Sequence, residues 1–598
     1  MEMFNGTRII ESLKWISSKM HVAGTEEQLN LMDTLAEKIH VWNDQNFRWE
    51  LISSGVGRLP LNTVMEDELR EQLENDPRIN LWWNAYSHNG TAISDLVYAN
   101  YGTKEDFELL NKSNISISGK IVLIRYGVIF RGDKIFNAEK RGAIGVILYS
   151  DPIDYVLGNE ARSQRGALYR GMGDPETPLL PSLDYVHREF NEKQLRSKGM
   201  LPNIPVTSIG YHDAQRIFER MNGEPAIWSR WSGALQVTYR LTGTNLFRMD
   251  VKTQNVHRPI KNFIAKIEGA EEPDRWVLLG NHADAWSKGS IDPGTGTSIM
   301  LEIARVLSVY SKETGWRPRR TIIFCQWDAE EFGLIGSIEW VEQYLHQLKQ
   351  RAVAYINLDN FNGNTTLNIK IKQPSESEIN NGRYTLYDSW RFHNTRSTLN
   401  GDRSLPFIQL PHSGSDFQAF ISFAGIPVAD IRMENVPYSF MLYHTAFEVP
   451  WLNENFLDPK GLTSIALGQF WLEIVRQLAD NIAVNNAKIS ISLIKREQIN
   501  QRLISLEKCF LITNIEKNDE NEENRQLRHS IFSAPMEEEN SGYALPFLFD
   551  SIIKWKRAIN SNYQIKAKLE LHQISLSISW IQYGIECAQD LLRIEIND

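Results

Sequence analysis

The sequence predicts an α/β fold with a parallel sheet at its core, and residues 276–359 carry the evidence. Three short apolar segments, WVLLG, TIIFCQW and VAYINL, are rich in β-branched residues, which is typical of buried strands. Between them, SIMLEIARVLSVYSK and IGSIEWVEQYLHQLKQR carry apolar residues at helical spacing. Strands that alternate with helices in this order form a parallel sheet with helices on its faces.

Each of the three predicted strands runs into side chains that bind metal ions in other proteins. Parallel sheets bind their ligands at the carboxyl ends of the strands, so these side chains should meet at one edge. The residues concerned are His282, Asp284, Asp292, Glu330, Glu331 and Asp359. We therefore predict a metal site there.

The donor types favour zinc. Imidazole in a set of carboxylates favours zinc over magnesium or calcium. A second imidazole is available from His444, which follows another strand-like segment, IPVADIRM. Two zinc ions about 3.5–4 Å apart need a bridging carboxylate and further ligands for each ion. The candidate ligands are His282, Asp292, Glu331, Asp359 and His444.

Two further carboxylates fit supporting roles. Glu330 is adjacent to Glu331, so a single turn supplies both a base and a ligand, because neighbouring side chains diverge. Asp284 lies two residues from His282 and is placed to hold the imidazole nitrogen that does not face the metal.

Length and composition limit the other classes of function. A chain of 598 residues divides into about three or four domains. The formal net charge of −10 is not offset by a basic stripe, so we expect no nucleic-acid partner. No run of about 18 apolar residues and no signal peptide is present, so we expect no membrane anchor within this sequence. The cysteines, Cys325, Cys509 and Cys587, predict no disulfide framework.

Changes in the pattern of predicted helices and strands divide the chain into four regions. Residues 1–86 begin with two amphipathic helical segments, and residues 87–255 predict an inserted β-rich domain with buried strands around a helix that begins near Phe136. Residues 256–479 form the α/β region with the metal site. Residues 480–598 are mostly helical, with a solvated acidic loop, EKNDENEENR.

Several motifs resemble the glutamate carboxypeptidase II (N-acetylated α-linked acidic dipeptidase) family, which is related to the transferrin receptor. The motifs are HADAWSKGSIDPGTG, WDAEEFGLIGSIEW, YINLD, LYH, MHVAGTEEQ and SGSDF. The resemblance implies a zinc-peptidase domain with a mixed sheet flanked by helices, formed by residues 1–86 and 256–479. It also implies a protease-associated domain at residues 87–255 and a helical dimerisation-like domain at residues 480–598.

The resemblance assigns roles to the predicted metal ligands. It implies that Asp292 bridges two zinc ions, that His282 and Asp359 complete one site, and that Glu331 and His444 complete the other. All five residue types are retained here. Since the receptor branch of the family has lost zinc ligands, their retention favours a working enzyme.

The same resemblance implies the reaction and the substrate contacts. Glu330 is the general base for water that attacks a peptide carbonyl, and Tyr443 contacts the oxyanion or the substrate carboxylate. Arg131 binds the terminal α-carboxylate of the substrate through two hydrogen bonds. Ser413, Gly414 and Arg432 belong to the same substrate site.

Two departures from the family concern the side chain of a C-terminal glutamate. Ala167 stands where the family has an Asn that contacts this side chain. The family loop that supplies a Lys corresponds here to EENSG, residues 538–542, which contains no Lys. Glu539 would repel a second carboxylate. Glutamate specificity is therefore not expected, and neutral or apolar residues are the better substrates.

The subsite on the other side of the scissile bond is altered as well. Of three family arginines only Arg432 remains, because the other two positions hold Asn368 and Asp430. Ser415 replaces an Asn beside them. Preference for acidic dipeptides is therefore not expected here either.

The family has a calcium site between its inserted and peptidase domains. Glu339 and Glu342 match two of its ligands and lie on one helix face, while Thr177 matches a third and Leu180 offers only a carbonyl group. The alternative is that the two glutamates form a solvated helix face.

The sequence leaves the following alternatives open. A dizinc carboxypeptidase is the first hypothesis; an aminopeptidase or dipeptidyl-peptidase on the same scaffold is the second, and a non-catalytic receptor-like protein is the third. The region between residues 371 and 383 and the helical domain after Leu478 are shorter than in the family, which makes the implied homodimer less secure. The resemblance implies an extracellular or cell-surface location, and glycosylation patterns occur at Asn5, Asn89, Asn111, Asn114 and Asn364.

Overall fold

The computed structural model describes residues 3–39, 52–53, 83–154, 163–361, 414–432, 442–481, 493–512, 529–533, 543–561 and 563–593. The strands are β1 (Ile52–Ser53), β2 (Gly90–Ser94), β3 (Leu96–Tyr98), β4 (Ile121–Arg125), β5 (Gly145–Tyr149), β6 (Val206–Ile209), β7 (Phe247–Val251), β8 (Asn255–Val256), β9 (Phe263–Ile267), β10 (Glu272–His282), β11 (Arg320–Trp327), β12 (Ala352–Asn357), β13 (Val428–Asp430), β14 (Phe532–Ser533) and β15 (Tyr543–Ala544). The longer helices are α1 (Gly6–Ile16), α2 (Glu26–Ile39), α3 (Lys104–Lys112), α4 (Arg131–Glu139), α5 (Glu192–Ser197), α6 (Tyr211–Arg220), α7 (Gly294–Thr314), α8 (Ile335–Gln343), α9 (Leu345–Arg351), α10 (Leu462–Asp480), α11 (Leu493–Leu506), α12 (Pro546–Asn560) and α13 (Gln564–Leu592).

The central sheet is mixed and contains the three strands predicted from the apolar segments. Its five strands have the order β13-β12-β10-β11-β9. β10, β11, β12 and β13 are parallel to one another, whereas β9 runs antiparallel to β11 at the edge. Every residue of β11 and β12 is buried, as expected for parallel strands covered on both faces.

Helices cover the sheet on both faces. On one face α7 and α10 pack against the strands and α1 packs against these two helices, with Ile9, Ile299 and Trp471 almost completely buried. On the other face α8, α9 and residues 417–424 form an aromatic layer, in which the rings of Tyr355 and Phe420 stack at 3.9 Å. Full burial of one such side chain stabilises the fold by roughly 1.5–3 kcal/mol.

The inserted region contains a second sheet, with the parallel strand order β3-β4-β5-β6. Strands β2 and β7 form an antiparallel pair beside it. The helix between β4 and β5 begins at Arg131, earlier than the predicted start near Phe136. Its first turn is held by Lys134, whose Nζ donates to the carbonyl groups of Tyr101 and Gly127, both at 2.6 Å. Charged residues in that turn concealed the helical pattern.

Two other features differ from the expectations. The segment IGSIEWVEQYLHQLKQR forms two helices, α8 and α9, that meet at Tyr344. Cys509 and Cys587 form a disulfide that joins the turn after α11 to α13, although the cysteine spacing predicted no framework. Three cysteines without a characteristic spacing gave no signal for a pairing over 78 positions.

Some predictions fall outside the described residues. They concern Ser413, Asn364, Asn368, residues 371–383, the loop at 538–542 and the acidic loop. Within the described ranges, none of the helices combines the length and apolar character needed to cross a membrane.

The disulfide leads to a first prediction. Exchange of Cys509 and Cys587 for Ser should lower the stability of the helical region by about 2–5 kcal/mol, because the bridge restricts the unfolded chain. Calorimetry of the parent protein and of the double variant, each with and without reductant, measures the effect. Reductant should lower the transition of the parent only. An equal response of both proteins would contradict the prediction.

Candidate metal centre

The carboxyl ends of three parallel strands bring the predicted ligands together. His282 ends β10 and pairs in register with Trp327 at the end of β11. Glu330 and Glu331 follow in the turn after β11, and Asp359 lies two residues beyond the end of β12. Parallel register therefore places residues that are far apart in the chain at one edge of the sheet.

The loop after β10 approaches the same edge very closely. Asp292 stands just before α7, and Gly296 lies in its first turn. A Cβ atom on Gly296 would lie 2.3 Å from Asp359 O and 2.3 Å from Asn281 Nδ2. A glycine is therefore needed for α7 to pack against the strand ends.

The five predicted ligands form two triads that share Asp292. His282, Asp292 and Asp359 offer ligand atoms within 4.8 Å of one another, and so do Asp292, Glu331 and His444. In the first triad, Asp292 Oδ1 lies 3.0 Å from His282 Nε2. In the second, Asp292 Oδ2 lies 3.3 Å from His444 Nε2. Each oxygen of Asp292 thus faces a different triad.

Both imidazoles direct Nε2 into the cluster. His282 Nδ1 lies 3.0 Å from the carbonyl oxygen of Asp284, and His444 Nδ1 lies 3.2 Å from the carbonyl oxygen of Arg165. Because a carbonyl group only accepts, each Nδ1 is the protonated nitrogen that donates. In the neutral ring, Nε2 then carries the lone pair that a metal requires.

Zinc fits this set of donors. Asp292 Oδ1, Glu331 Oε1 and His444 Nε2 are buried without a hydrogen-bond partner in the described part of the chain. Two imidazoles among three carboxylates form a nitrogen–oxygen set of the kind that zinc prefers. The set therefore leaves buried lone pairs that a metal ion would satisfy.

Electrostatics point to the same need for positive charge. Burial raises the pKa of Glu331 well above its usual range, and the neighbouring Asp292 raises it further. Burial lowers the pKa of His282, but the carboxylates of Asp359 and Glu330 outweigh it, so this pKa is raised well above its usual value. The cluster thus holds excess negative charge, for which a metal ion and a proton compete.

Glu330 lies beside the triads and belongs to neither. Burial raises the pKa of its carboxyl group well above the usual range, although the charge of His282 opposes this shift. The preceding residue, Ala329, has a left-handed backbone with φ of 58°. Of the two neighbouring glutamates, only Glu331 belongs to a triad.

Asp284 supports the site in a way that differs from the expectation. Its backbone carbonyl, and not its carboxylate, is the near partner of His282 Nδ1, since the carboxylate Oδ1 lies 3.6 Å away. The carboxylate accepts the backbone N–H groups of Glu330 at 2.9 Å and Glu331 at 3.3 Å. Asp284 thus orients the turn that carries the predicted base and ligand.

Asp359 is held by Ser415, one of the residues predicted to form the altered subsite. Ser415 Oγ donates to Asp359 Oδ2 at 2.5 Å, and Asn357 Nδ2 donates to Ser415 Oγ at 2.9 Å. Asn357 Nδ2 also lies 2.8 Å from Asp430 Oδ1. Asp430 in turn forms an ion pair with Arg432, so its charge is compensated within the subsite.

Two of the predicted substrate residues, Tyr443 and Arg131, lie close to the second triad. The ring of Tyr443 stacks on that of His444 at 3.6 Å. Arg131 donates to the carbonyl group of Ala167 at 3.4 Å, and its charge acts on the pKa of Tyr443 and of His444. A Cβ atom on Gly166 would lie 2.3 Å from the guanidinium of Arg131, so glycine allows this approach. The amide N–H of Gly414 donates to Gln418 at 3.3 Å.

The residues expected for calcium are only partly arranged as a site. The two oxygens of the Glu339 carboxylate accept the backbone N–H groups of Asp174 and Ser182, both at 2.6 Å. Thr177 O accepts the N–H group of Leu180 at 3.0 Å, and the side chain of Leu180 is exposed. Burial and then the neighbouring Glu342 raise the pKa of Glu339. The calcium site stays a prediction.

Two buried residues that contact this centre were missed. Glu448 accepts N–H groups from both Asp292 and His444, and His21 places its ring nitrogens 2.7 Å from Ala283 O and 3.0 Å from Lys288 O. The only signal in the sequence was a polar residue within an otherwise apolar stretch, TAFEVPW for Glu448 and MHVAG for His21.

Comparisons with known proteins match both the region that carries the central sheet and the inserted region. The family model described as Peptidase family M28 matches residues 262–458, and that of the PA domain matches residues 88–183. The chain is 33% identical to the glutamate carboxypeptidase 2 homolog of Caenorhabditis briggsae, over 86% of this chain and 78% of that protein. It is 32% identical to aminopeptidase NAALADL1 of Mus musculus, over 81% of this chain and 72% of that protein. It is 35% identical to transferrin receptor protein 1 of Gallus gallus, over 59% of this chain and 45% of that protein.

The position of Asp284 leads to a second prediction. Asp284→Asn should weaken zinc binding about 10–100-fold, because an amide group facing two N–H donors no longer holds the turn with Glu331. Competition with a chromogenic chelator measures the affinity. Asp151→Asn is the matched control, because Asp151 is also buried and accepts the N–H groups of Ile153 and Ala234 in the inserted region. Unchanged affinity in a folded Asp284→Asn variant would contradict the prediction.

Proposed function

Because this chain belongs to the glutamate carboxypeptidase II family of zinc metallopeptidases, we propose that it is a dizinc carboxypeptidase that removes C-terminal residues from peptides. The observation that carries the proposal is the pair of triads that share Asp292, one oxygen facing each triad. A bridging carboxylate between two ligand sets is what a two-metal hydrolytic site requires.

We assign the residues to separate roles. His282, Asp292 and Asp359 would hold one ion, and Asp292, Glu331 and His444 the other. Zinc held there supplies a Lewis acid that makes a water molecule more acidic and polarises the peptide carbonyl.

Glu330 acts as the general base. Its carboxylate takes a proton from the attacking water and then returns it to the nitrogen of the leaving amine. Burial raises the pKa of the Glu330 carboxyl group well above its usual range, and a raised pKa makes the carboxylate a stronger base. The hydroxyl group of Tyr443 donates to the oxyanion that develops on the carbonyl oxygen.

Arg131 sets the direction of cleavage. Its guanidinium is close enough to Tyr443 and His444 for its charge to affect their pKa values, so an α-carboxylate bound by Arg131 would lie near the second triad. Bidentate binding of a carboxylate by a planar guanidinium is a strong and directional interaction. Peptides with a free C-terminus are therefore the proposed substrates.

The side-chain preference is proposed to be neutral or apolar. Ala167 is buried in the apolar cluster that includes Trp83 and Tyr86, and its side chain offers no donor for a second carboxylate. On the other side, Asp430 is paired with Arg432, so that this arginine is already engaged by a carboxylate. Neither side presents uncompensated positive charge from these residues to an acidic substrate.

An aminopeptidase is the second candidate function. The observation that favours it is the similarity to a relative named as an aminopeptidase, which covers 81% of this chain. The two activities require opposite termini to be free, so substrates blocked at one end separate them.

Assembly and location are proposed from the helical region. Ile565, Leu569 and Tyr583 on α13 are more than half exposed, which suits a homodimer interface, and sedimentation of the full chain tests it. The disulfide between Cys509 and Cys587 supports an oxidising, extracellular-side location, which cell fractionation tests.

Calcium binding at Glu339 and Glu342 is also part of the proposal, and calorimetric titration with calcium tests it. The proposed domains are residues 1–86, 87–255, 256–479 and 480–598.

The third prediction concerns the base. Glu330→Gln should lower kcat by about 10²–10⁴-fold, because proton transfer is lost, while about two zinc ions per chain remain bound. Elemental analysis and peptide hydrolysis measure the two quantities. Glu302→Gln is the matched control, since Glu302 is a buried glutamate that pairs with Arg305 on α7. Full activity of Glu330→Gln, or absence of zinc in the folded parent protein, would refute the proposed role.

The fourth prediction concerns direction and selectivity. One peptide is prepared with both termini free, with an acetylated N-terminus and with an amidated C-terminus. Amidation should lower kcat/KM about 10–100-fold, because a charged hydrogen bond is worth about 1.5–3 kcal/mol, whereas acetylation should have little effect. Arg131→Met should abolish the difference in kcat/KM between the peptide with a free C-terminus and the amidated peptide. Arg141→Met, a control later in the same region, should preserve this difference.

The opposite pattern would establish the second candidate. If acetylation stops hydrolysis and amidation does not, the protein is an aminopeptidase and Arg131 does not read the α-carboxylate. Within the same series, peptides that end in Leu should be cleaved faster than peptides that end in Glu. Faster cleavage after exchange of Leu for Glu would contradict the proposed neutral preference.

A further inference from the structure

One buried carboxylate connects the two chain segments that carry the shared ligand and the second imidazole. Glu448 is 2% exposed. Its Oε1 accepts the backbone N–H group of His444 at 2.6 Å, and its Oε2 accepts the backbone N–H group of Asp292 at 3.0 Å. The two ligands lie in separate loops, so Glu448 joins them from behind the cluster.

Further contacts join the same two loops. The backbone carbonyl of Glu448 accepts the N–H group of Ser290 at 3.2 Å, and Ser287 Oγ donates to the carbonyl group of Thr445 at 3.0 Å. The loop before α7 and the turn after His444 are therefore bonded at several points. The carboxylate of Glu448 is the part of this contact that reaches the ligands themselves.

His444 needs such support because its backbone is in the left-handed region, with φ of 57°. This conformation is uncommon for a residue other than glycine and costs free energy. The N–H group of Arg165 donates to the carbonyl group of His444 at 2.9 Å, and His444 Nδ1 donates to the carbonyl group of Arg165. Glu448 therefore holds the N–H side of a residue that Arg165 holds on its carbonyl and ring sides.

We propose that Glu448 is a positioning residue that sets the spacing between Asp292 and His444 and thereby the metal affinity of the second triad. The inference rests on the proposed function, because it takes Asp292, Glu331 and His444 to be zinc ligands. A carboxylate suits this position because it offers two acceptors to two N–H donors. A glutamine of equal size would turn an amide group towards one of them and leave that backbone group unsatisfied.

The test compares Glu448→Gln with a matched variant in the full chain. Asp458 is also buried, and its carboxylate also accepts two backbone N–H groups, those of Thr463 and Ser464 at the start of α10. Asp458→Asn thus reproduces the loss of a buried carboxylate that caps backbone donors. Activity is measured over a series of buffered free zinc concentrations, and cobalt-substituted protein is examined by visible absorption spectroscopy.

For Glu448→Gln, the zinc concentration at half-maximal activity should rise about 10–100-fold, and excess zinc should restore most of kcat. The absorption of one of the two bound cobalt ions should change, while KM stays near that of the parent protein. Asp458→Asn should show the parent's zinc dependence and spectrum, whatever its melting temperature. Rescue by zinc separates a positioning role from a general loss of folded protein.

The inference is overturned if folded Glu448→Gln retains the zinc dependence and the cobalt spectrum of the parent. It is also overturned if both variants shift equally. Should Glu448→Gln fail to fold, Glu448→Asp, which keeps the charge but shortens the reach, is judged by the same two measurements. A parent protein that binds no zinc would instead refute the proposed function.

Discussion

Repulsion among carboxylates at the ends of three parallel strands is the constraint on which the rest of this structure depends. Asp292 offers ligand atoms within 4.8 Å of both Asp359 and Glu331, and all three carboxylates are buried, as is the adjacent Glu330. Burial and mutual repulsion disfavour their charged forms, and two imidazoles compensate only part of the charge. A fold that gathers these groups must offset this repulsion, which cations at the cluster would do, and must hold the backbone of each ligand in place.

The backbone near the ligands is held largely by other acidic side chains, whose carboxylates accept backbone N–H groups. Asp284 holds the turn of Glu330 and Glu331, and Glu448 holds Asp292 and His444. Carboxylates that accept backbone N–H groups make strong hydrogen bonds, and here each joins chain segments from different strands. The centre is thus built in two layers, with the inner carboxylates facing the candidate metal site and the outer ones facing the backbone.

The inner layer could be predicted from the sequence, whereas the outer layer could not. Apolar runs and the polar residues that end them are local signals, so β10, β11 and β12 and the residues that follow them were recognisable. Contacts such as His21 with Ala283 or Glu448 with Asp292 depend on the packing of segments 262 and 156 residues apart, which no local pattern encodes. For the same reason the disulfide could not be predicted from the sequence. The start of α4 could not be predicted because charged residues in its first turn interrupt the apolar spacing.

The contact between Arg165 and His444 has a consequence for biosynthesis. These residues are separated by 279 positions, and Glu448 leaves the ribosome 156 residues after Asp292. At about 5–20 residues per second, roughly 8–30 s pass before the growing chain can complete the second triad. Throughout that interval the acidic residues at the strand ends are not yet joined by His444 and Glu448. The ligand set of the second triad is therefore complete only after translation has passed His444, and the carboxylate that bonds it to Asp292 follows four residues later.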